Sequence, residues 1–327
     1  MSIPEIKYCP GILKEGYSEY SNLTLKHVFN GRKVSPILNY NSPASKIDAE
    51  LFNDNQMQMS ISGVQEKFSV LLDKNKIRLI KDNEQGTYIL KPIPSVAKHT
   101  DQMPANEHLT MQIASQVFGI ETAENALMFF KNGEPVYLTK RFDVQENGQK
   151  LAQEDFATLA HRTSQTHSEN YKYLGSYLEL FQLLKVYVPA YQIEAIKLFR
   201  LILFNYLVSN GDAHFKNFSL IETPMGDFKL SPAYDLLNSR IHIDDKDFAL
   251  EDGLLPTNLT SGRIKEQFFK LGELSGISIK QVQKVYFSLT SQEKKVIELI
   301  DASYLNDKIK RNFKQAYQTR LKKMLRN

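Results

Sequence analysis

Cysteine is almost absent from this chain: Cys9 is the single one in 327 residues. A lone thiol excludes an internal disulfide framework and a cysteine-based zinc site. Tryptophan is missing altogether. No apolar run approaches the ~18 residues a membrane helix needs, so no membrane span is expected. The opening Met1-Ser2-Ile3-Pro4-Glu5-Ile6-Lys7 lacks the apolar core of a secretory signal, and a cytoplasmic location is the expectation. Neither sign of charge dominates. The 41 Lys and Arg against 37 Asp and Glu leave +4, too little to argue nucleic-acid binding from charge alone.

What is present is the composition of a globular protein, 42% hydrophobic and 24% charged, in a chain long enough for two lobes. Residues 8–55 carry little beyond turn signals at Tyr8-Cys9-Pro10-Gly11 and Asn30-Gly31. Phe68 to Leu72 and Ile77 to Ile80 then read as a hairpin around Asp73-Lys74-Asn75. Tyr88-Ile89-Leu90-Lys91-Pro92 is a short strand ending in a lysine. A lysine in an apolar strand needs a partner or an anion such as a nucleotide phosphate; the alternative is an edge-strand guard. A helix runs from Pro104 to Phe118 and stops at Gly119. Asn106 is its N-cap candidate, and Leu109, Ile113 and Val117 form its buried stripe. Glu107 either pairs with Lys91 or simply suits the helix dipole. Ala126 to Phe130 and Pro135 to Leu138 flank an Asn132-Gly133 turn. From Gln153 onward the pattern is mostly helical. Residues 162–172 read as a mobile polar loop carrying surface histidines, and 242–252 as an acidic, solvated stretch.

The chemistry concentrates in Asn210-Gly211-Asp212-Ala213-His214-Phe215-Lys216-Asn217-Phe218-Ser219. It follows a long apolar segment, Ile193 to Ser209, which reads as a buried helix stopped by Asn210-Gly211. Asp212 and Asn217 have the Asp-x-x-x-x-Asn spacing of a kinase catalytic loop: a carboxylate to take or orient a hydroxyl proton, and an amide oxygen to hold a metal. Past the strand-like Phe228-Lys229-Leu230, Pro232-Ala233-Tyr234-Asp235 supplies a second carboxylate. Taken singly, each Asp is as well explained by capping a turn or helix. Upstream, Ser60-Ile61-Ser62-Gly63-Val64-Gln65-Glu66-Lys67 is a small-residue loop entering a strand. It is able to lay backbone N–H groups over phosphates, although it is no Walker A. The final helix carries Lys308, Lys310, Arg311, Lys314, Arg320, Lys322, Lys323 and Arg326 with no acid after Asp307. That run reads as a solvated face, or as one lying near DNA phosphates.

Together these segments resemble the HipA-like serine/threonine kinases of bacterial toxin–antitoxin modules. The shared stretches, in family order, are Ser60 to Lys67, Ile89 to Pro92, Asn106-Glu107, Arg141-Phe142-Asp143, Gln153-Glu154-Asp155, Asn210 to Ser219 and Pro232 to Asp235. The Asp-x-His-x-Lys-Asn-Phe core is the most specific of them. The resemblance implies an α+β, two-lobed kinase-like fold: a small β-rich N-lobe over residues 1–145 and a larger helical C-lobe over 146–327. Longer family members carry an extra N-terminal subdomain of about a hundred residues, for which this sequence leaves no room. That layout is similar to the HipT type, whose modules add a small HipS antitoxin and a DNA-binding HipB protein.

By matching position the resemblance implies Asp212 as catalytic base and Lys91 as the phosphate-binding lysine. Asn217 and Asp235 would be magnesium ligands, with His214, Lys216 and Tyr234 beside the nucleotide. Ser62, Gly63, Val64, Gln65, Glu66 and Lys67 would cover ATP, and Lys140, Arg141 and Phe142 would form the hinge. Lys140 stands where long-form kinases have an acid. Ser60 and Ser62 match autophosphorylation positions, where a phosphate adds roughly −2 charge in a loop meant to receive ATP. The implied substrate is a protein serine, in the family an aminoacyl-tRNA synthetase and in the HipT type the tryptophanyl enzyme. The alternatives are a kinase-like scaffold holding a DNA-binding antitoxin, and a small-molecule phosphotransferase.

Overall fold

Alternating burial organises the first sheet. In a computed structural model, residues 4–45, 52, 66–95, 97–145, 147–244 and 246–326 are described. A seven-residue helix, α1 (Asn22–Val28), is capped by the Ser21 hydroxyl. Then come β1 (Phe68–Asp73), β2 (Lys76–Leu79) and β3 (Tyr88–Lys91). Helix α2 (Met103–Gln112) leads into β4 (Asn125–Phe129) and β5 (Pro135–Lys140). The five strands form one antiparallel sheet in the order β2-β1-β3-β5-β4. Both predicted hairpins are present in it.

Successive side chains of a strand point to opposite faces. Ala126, Met128, Val136 and Leu138 therefore face one core with Phe68, Val70 and Tyr88, while Leu127, Phe129 and Tyr137 face another with α2. The second core is the larger. It continues without a break past residue 145, from Leu109 and Ile113 through Leu198, Phe199 and Ile202 to Phe313 and Tyr317.

The helical part holds α3 (Tyr177–Tyr187), α4 (Tyr191–Leu207), α5 (Ile264–Leu274), α6 (Ile279–Thr290), α7 (Glu293–Ala302) and α8 (Asp307–Leu325). It also holds a second antiparallel sheet, of which the sequence pattern had suggested only the strand Phe228-Lys229-Leu230. There β6 (Gln153–Asp155), β7 (Ser219–Glu222) and β8 (Phe228–Leu230) pair in the order β6-β7-β8. Gln153 to Asp155 is too short for a period to show. It becomes a strand because Ser219 to Ile221 offers it a partner.

Several further expectations are corrected. Asn106 lies inside α2, whose N-cap position is Gln102, so it caps nothing. The last turn of that helix widens into a π-turn over Ile113–Val117, and the chain reverses at Gly119 with φ +59°. In α4, Ile193 is exposed, and the all-round burial begins only at Leu201, after the half-buried Arg200. The left-handed residue that ends α4 is Ser209, φ +59°, ahead of Asn210-Gly211. The stretch 242–252 is not uniformly solvated, since His242 and Leu250 are buried. Nor is the basic face of α8: Arg320 is 1% exposed. Its guanidinium lies 4.6 Å from the centre of the Tyr206 ring, and it sits 2.6 Å from Asp247. Among the described residues no helix is long and apolar enough to cross a membrane.

Candidate active site

Lys91 ends β3 with its side chain buried. Its Nζ lies 2.6 Å from Glu107 Oε1 on α2 and also bonds Asp235 Oδ1. It stands 5.4 Å from the centre of the Tyr137 ring on β5. Three segments far apart in sequence thus meet at one ammonium. Burial alone would discharge Lys91, but the carboxylates of Asp235 and Glu107 hold its pKa above the ordinary lysine value. Burial pushes Glu107 up, and Lys91 opposes that without cancelling it. Burial would also raise Asp235, but Lys67 and Lys91 outweigh it and keep the carboxylate ionised. Lys67 Nζ approaches Asp235 Oδ2 at 3.6 Å. Asp235 adopts φ +54°, a left-handed conformation uncommon for a residue with a Cβ.

The second group of predicted residues sits on the segment after α4. Asp212 lies in a turn, where the His214 N–H bonds the Asp212 carbonyl and the Asn217 N–H bonds the His214 carbonyl. His214 Nε2 is 3.9 Å from Asp212 Oδ1. Burial, with Lys172 adding repulsion, lowers the His214 pKa to about 3, so its ring is neutral at neutral pH. The segment is pinned from below: Phe215 is fully buried under the Arg162 guanidinium, and the Tyr177 hydroxyl donates to the Ala213 carbonyl at 2.7 Å. The two groups are tied together as well. The Tyr234 hydroxyl donates to the Lys216 carbonyl at 3.0 Å, and His214 feels the charge of Asp235.

The donor set suits a hard divalent cation. Asn217 Oδ1 is buried with no hydrogen-bond partner. An orphaned buried oxygen of that kind calls for a cation or water. Asp235 adds carboxylate oxygens, and magnesium takes one or two protein oxygens plus substrate phosphates. Among the described residues no group of three or more His, Cys, Asp or Glu forms a self-sufficient metal cage.

The segment 140–142 is more committed than expected. The Lys140 and Arg141 N–H groups are spent on the Glu124 and Thr87 carbonyls. The Lys140 ammonium turns to Asn30 and the His27 carbonyl, and Arg141 pairs with Asp143. The Phe142 ring packs tilted against Tyr234, with ring centres 5.8 Å apart. Ser60, Ser62, Gly63, Val64 and Gln65 lie outside the described residues.

Sequence reasoning missed two participants. Tyr173, just past the stretch read as a polar loop, donates its hydroxyl to Asp212 Oδ1 at 2.9 Å. Asn106 reaches from α2 to the backbone of Asn238. A tyrosine among polar residues is a weak signal. Asn inside a helix is a stronger one, because asparagine is poor there unless its side chain is used.

The profile of the HipA-like C-terminal domain matches residues 59–303. The chain belongs to that family. A Haemophilus influenzae protein described as "Putative kinase" is 27% identical over 246 residues, covering 71% of this chain and 68% of its own length. A Sinorhizobium fredii protein described as "Putative kinase Y4mE" is 28% identical over 196 residues, 58% of this chain but only 44% of its own length. Among solved structures, the Shewanella oneidensis HipA in complex with HipB and operator DNA is similar with a TM-score of 0.60 at 22% identity. The similarity covers 80% of this chain and 63% of that one. The Helicobacter pylori proinflammatory kinase CtkA is similar with a TM-score of 0.53 at 15% identity, over 78% of this chain and 92% of that one. The fold is therefore the mixed α/β fold of HipA and CtkA.

Proposed function

We propose that the chain is an ATP-dependent protein serine/threonine kinase, acting as the toxin of a bacterial toxin–antitoxin module. The observation that carries the reading is the single ammonium of Lys91 held between Glu107 and Asp235. A purely structural ion pair needs one carboxylate. Two carboxylates on one buried lysine, next to an unsatisfied Asn217 oxygen, make a cluster prepared for phosphates and a cation.

In this reading the two lobes, 1–145 and 146–327, close over ATP, and 140–142 lies along the adenine. Lys91, released from Asp235 toward the triphosphate and kept in place by Glu107, binds phosphate oxygens. Lys67, Lys216 and His214 line the same cleft, and Ser62, Gly63, Val64, Gln65 and Glu66 are assigned to ATP by the family motif alone. Magnesium, held by Asn217 and Asp235, neutralises phosphate charge when bound. Asp212 orients the acceptor hydroxyl and takes its proton. Catalysis then rests on positioning and charge neutralisation.

The finer assignments are part of the same proposal. Ser60 and Ser62 are autophosphorylation positions. The target is an aminoacyl-tRNA synthetase, by family resemblance the tryptophanyl enzyme. A HipS-like small protein and a HipB-like DNA-binding protein are the partners; the similar HipA structure, a complex with HipB and operator DNA, supports the second.

The test is incubation of the chain with labelled ATP and magnesium, beside Asp212→Gln. Label on the wild-type chain that disappears in Asp212→Gln supports the reading, and mass spectrometry locates the serine. A wild-type chain that binds ATP and transfers nothing to itself or to tryptophanyl-tRNA synthetase sinks it.

A further inference from the structure

Asn106 is fully buried in the first half of α2, next in sequence to Glu107. Its side chain leaves the helix and grips the segment that follows Asp235. Nδ2 donates to the Asn238 carbonyl at 2.9 Å, and Oδ1 accepts from the Asn238 N–H at 3.1 Å. The other Nδ2 hydrogen points at His242 Nε2, 2.8 Å away. His242 Nδ1 faces the Lys98 carbonyl at 2.9 Å, so the proton sits on Nδ1 and Nε2 accepts. The Thr110 hydroxyl donates to the Asn106 main-chain carbonyl at 2.9 Å, with Oδ1 a longer 3.3 Å away. Both amide hydrogens and the amide oxygen are used across the fold.

The consequence lies in what the amide joins. One residue along α2 is Glu107; three residues before Asn238 is Asp235. These are the two carboxylates that share Lys91. The clasp therefore fixes the distance between the two walls of the lysine site. No other side chain reproduces it. Glutamine is a methylene too long, and aspartate turns a lone pair toward the Asn238 carbonyl and His242 Nε2. Alanine leaves a buried N–H and C=O unpaired.

We propose that Asn106 is a positioning residue that sets the Asp235 backbone where its carboxylate meets the cation, with His242 orienting the amide. The inference rests on the kinase reading above. It assigns to Asn106 the metal-dependent part of nucleotide binding and leaves the Lys91-dependent part to Glu107.

The test uses the full chain and the non-hydrolysable analogue AMP-PNP, titrated in excess EDTA and again in magnesium chloride. Wild type, Asn106→Asp, Asn106→Ala, His242→Phe and His242→Gln are compared. The expected result is about tenfold loss of the magnesium-dependent tightening in both Asn106 variants, the order expected for one or two lost hydrogen bonds. Affinity in EDTA stays within about threefold of wild type on the same scale. His242→Phe shows a smaller loss, and His242→Gln, which restores an acceptor, recovers it. Should the Asn106 variants not fold, the His242 pair decides. Equal weakening with and without magnesium, or no change in either, overturns the inference. A wild-type chain whose AMP-PNP affinity ignores magnesium overturns the metal assignment itself, a separate outcome.

Discussion

Tyr173 and Asp212 are joined by a hydrogen bond of 2.9 Å, phenol to carboxylate, and the same tyrosine ring stands edge-on to His214 at 5.1 Å. The phenol occupies a lone pair that an acceptor hydroxyl needs. Tyr173→Phe keeps the ring packing and removes that competition. Transfer of label to a protein acceptor is expected to rise about two- to tenfold, the equivalent of one modest hydrogen bond. Initial rates at saturating ATP measure it. A fall to background would instead make the phenol part of the machinery.

Lys91→Met removes the charge and leaves Glu107 buried without its ammonium, while Asp235 keeps Lys67 at 3.6 Å. Breaking a buried pair costs about 3–5 kcal/mol, whereas replacing both partners by apolar groups is nearly neutral. Urea denaturation should therefore show Lys91→Met strongly destabilised and the double change Lys91→Met with Glu107→Leu recovering most of the loss. Both should lack phosphotransfer. Equal stabilities for the single and double variants would contradict the pairing.

His108 should give the fold an acid-sensitive window. It is buried, with Nε2 3.1 Å from the Gly11 carbonyl, and burial lowers its pKa from 6.5 to about 4. Above pH 6.5 the neutral ring suits both folded and unfolded chains, and its contribution is fully present. Below that, the unfolded chain takes up a proton that the folded chain refuses. Stability is then lost by about 3 kcal/mol as the pH falls toward 4. His108→Gln keeps a donor for Gly11 and cannot take the proton, so its stability curve should be flatter there.

Arg320 makes a structural prediction about the C-terminal helix. Its Nε donates to Ser209 Oγ at 3.3 Å, beneath the residue that starts the Asp212 segment. Arg320→Met should cost about 2 kcal/mol, the scale of a hydrogen bond to a charged group plus a cation–π contact. Arg320→Lys should not restore it, because an ammonium cannot stack its plane on Tyr206. Thermal unfolding of the two variants settles the comparison.

Much of the fold was legible because its signals are local. The hairpin of β4 and β5 announces itself in Asn132-Gly133 between apolar alternations, and the stripe of α2 in Leu109 and Ile113. β6 was not legible, since three polar residues become a strand only when β7 lies beside them. The end of α4 was misplaced by two residues, at Ser209 where the helix stops at Leu207. Asn210-Gly211 is the stronger stop signal, but packing puts the left-handed residue at Ser209.

At the candidate site, Lys91, Glu107 and Asp235 could each be picked out by residue type, and the structure joins them at one ammonium. The partners that hold the site could not. Asn106 looked like a cap, because capping and long-range clasping use the same amide chemistry. Tyr173 drew no notice and Arg320 looked like part of a solvated face, because neither polarity nor helical spacing records what lies across the fold.

Which residues carry charge, which stretches alternate and where the chain must turn were written in the sequence, since those depend on neighbours a few positions away. Which carboxylate Lys91 shares, what Asn106 grips and what covers Asp212 were decided only when distant segments packed. A hydrogen bond acts over about 3 Å, and no spacing along the chain reveals which residues the fold will bring that close.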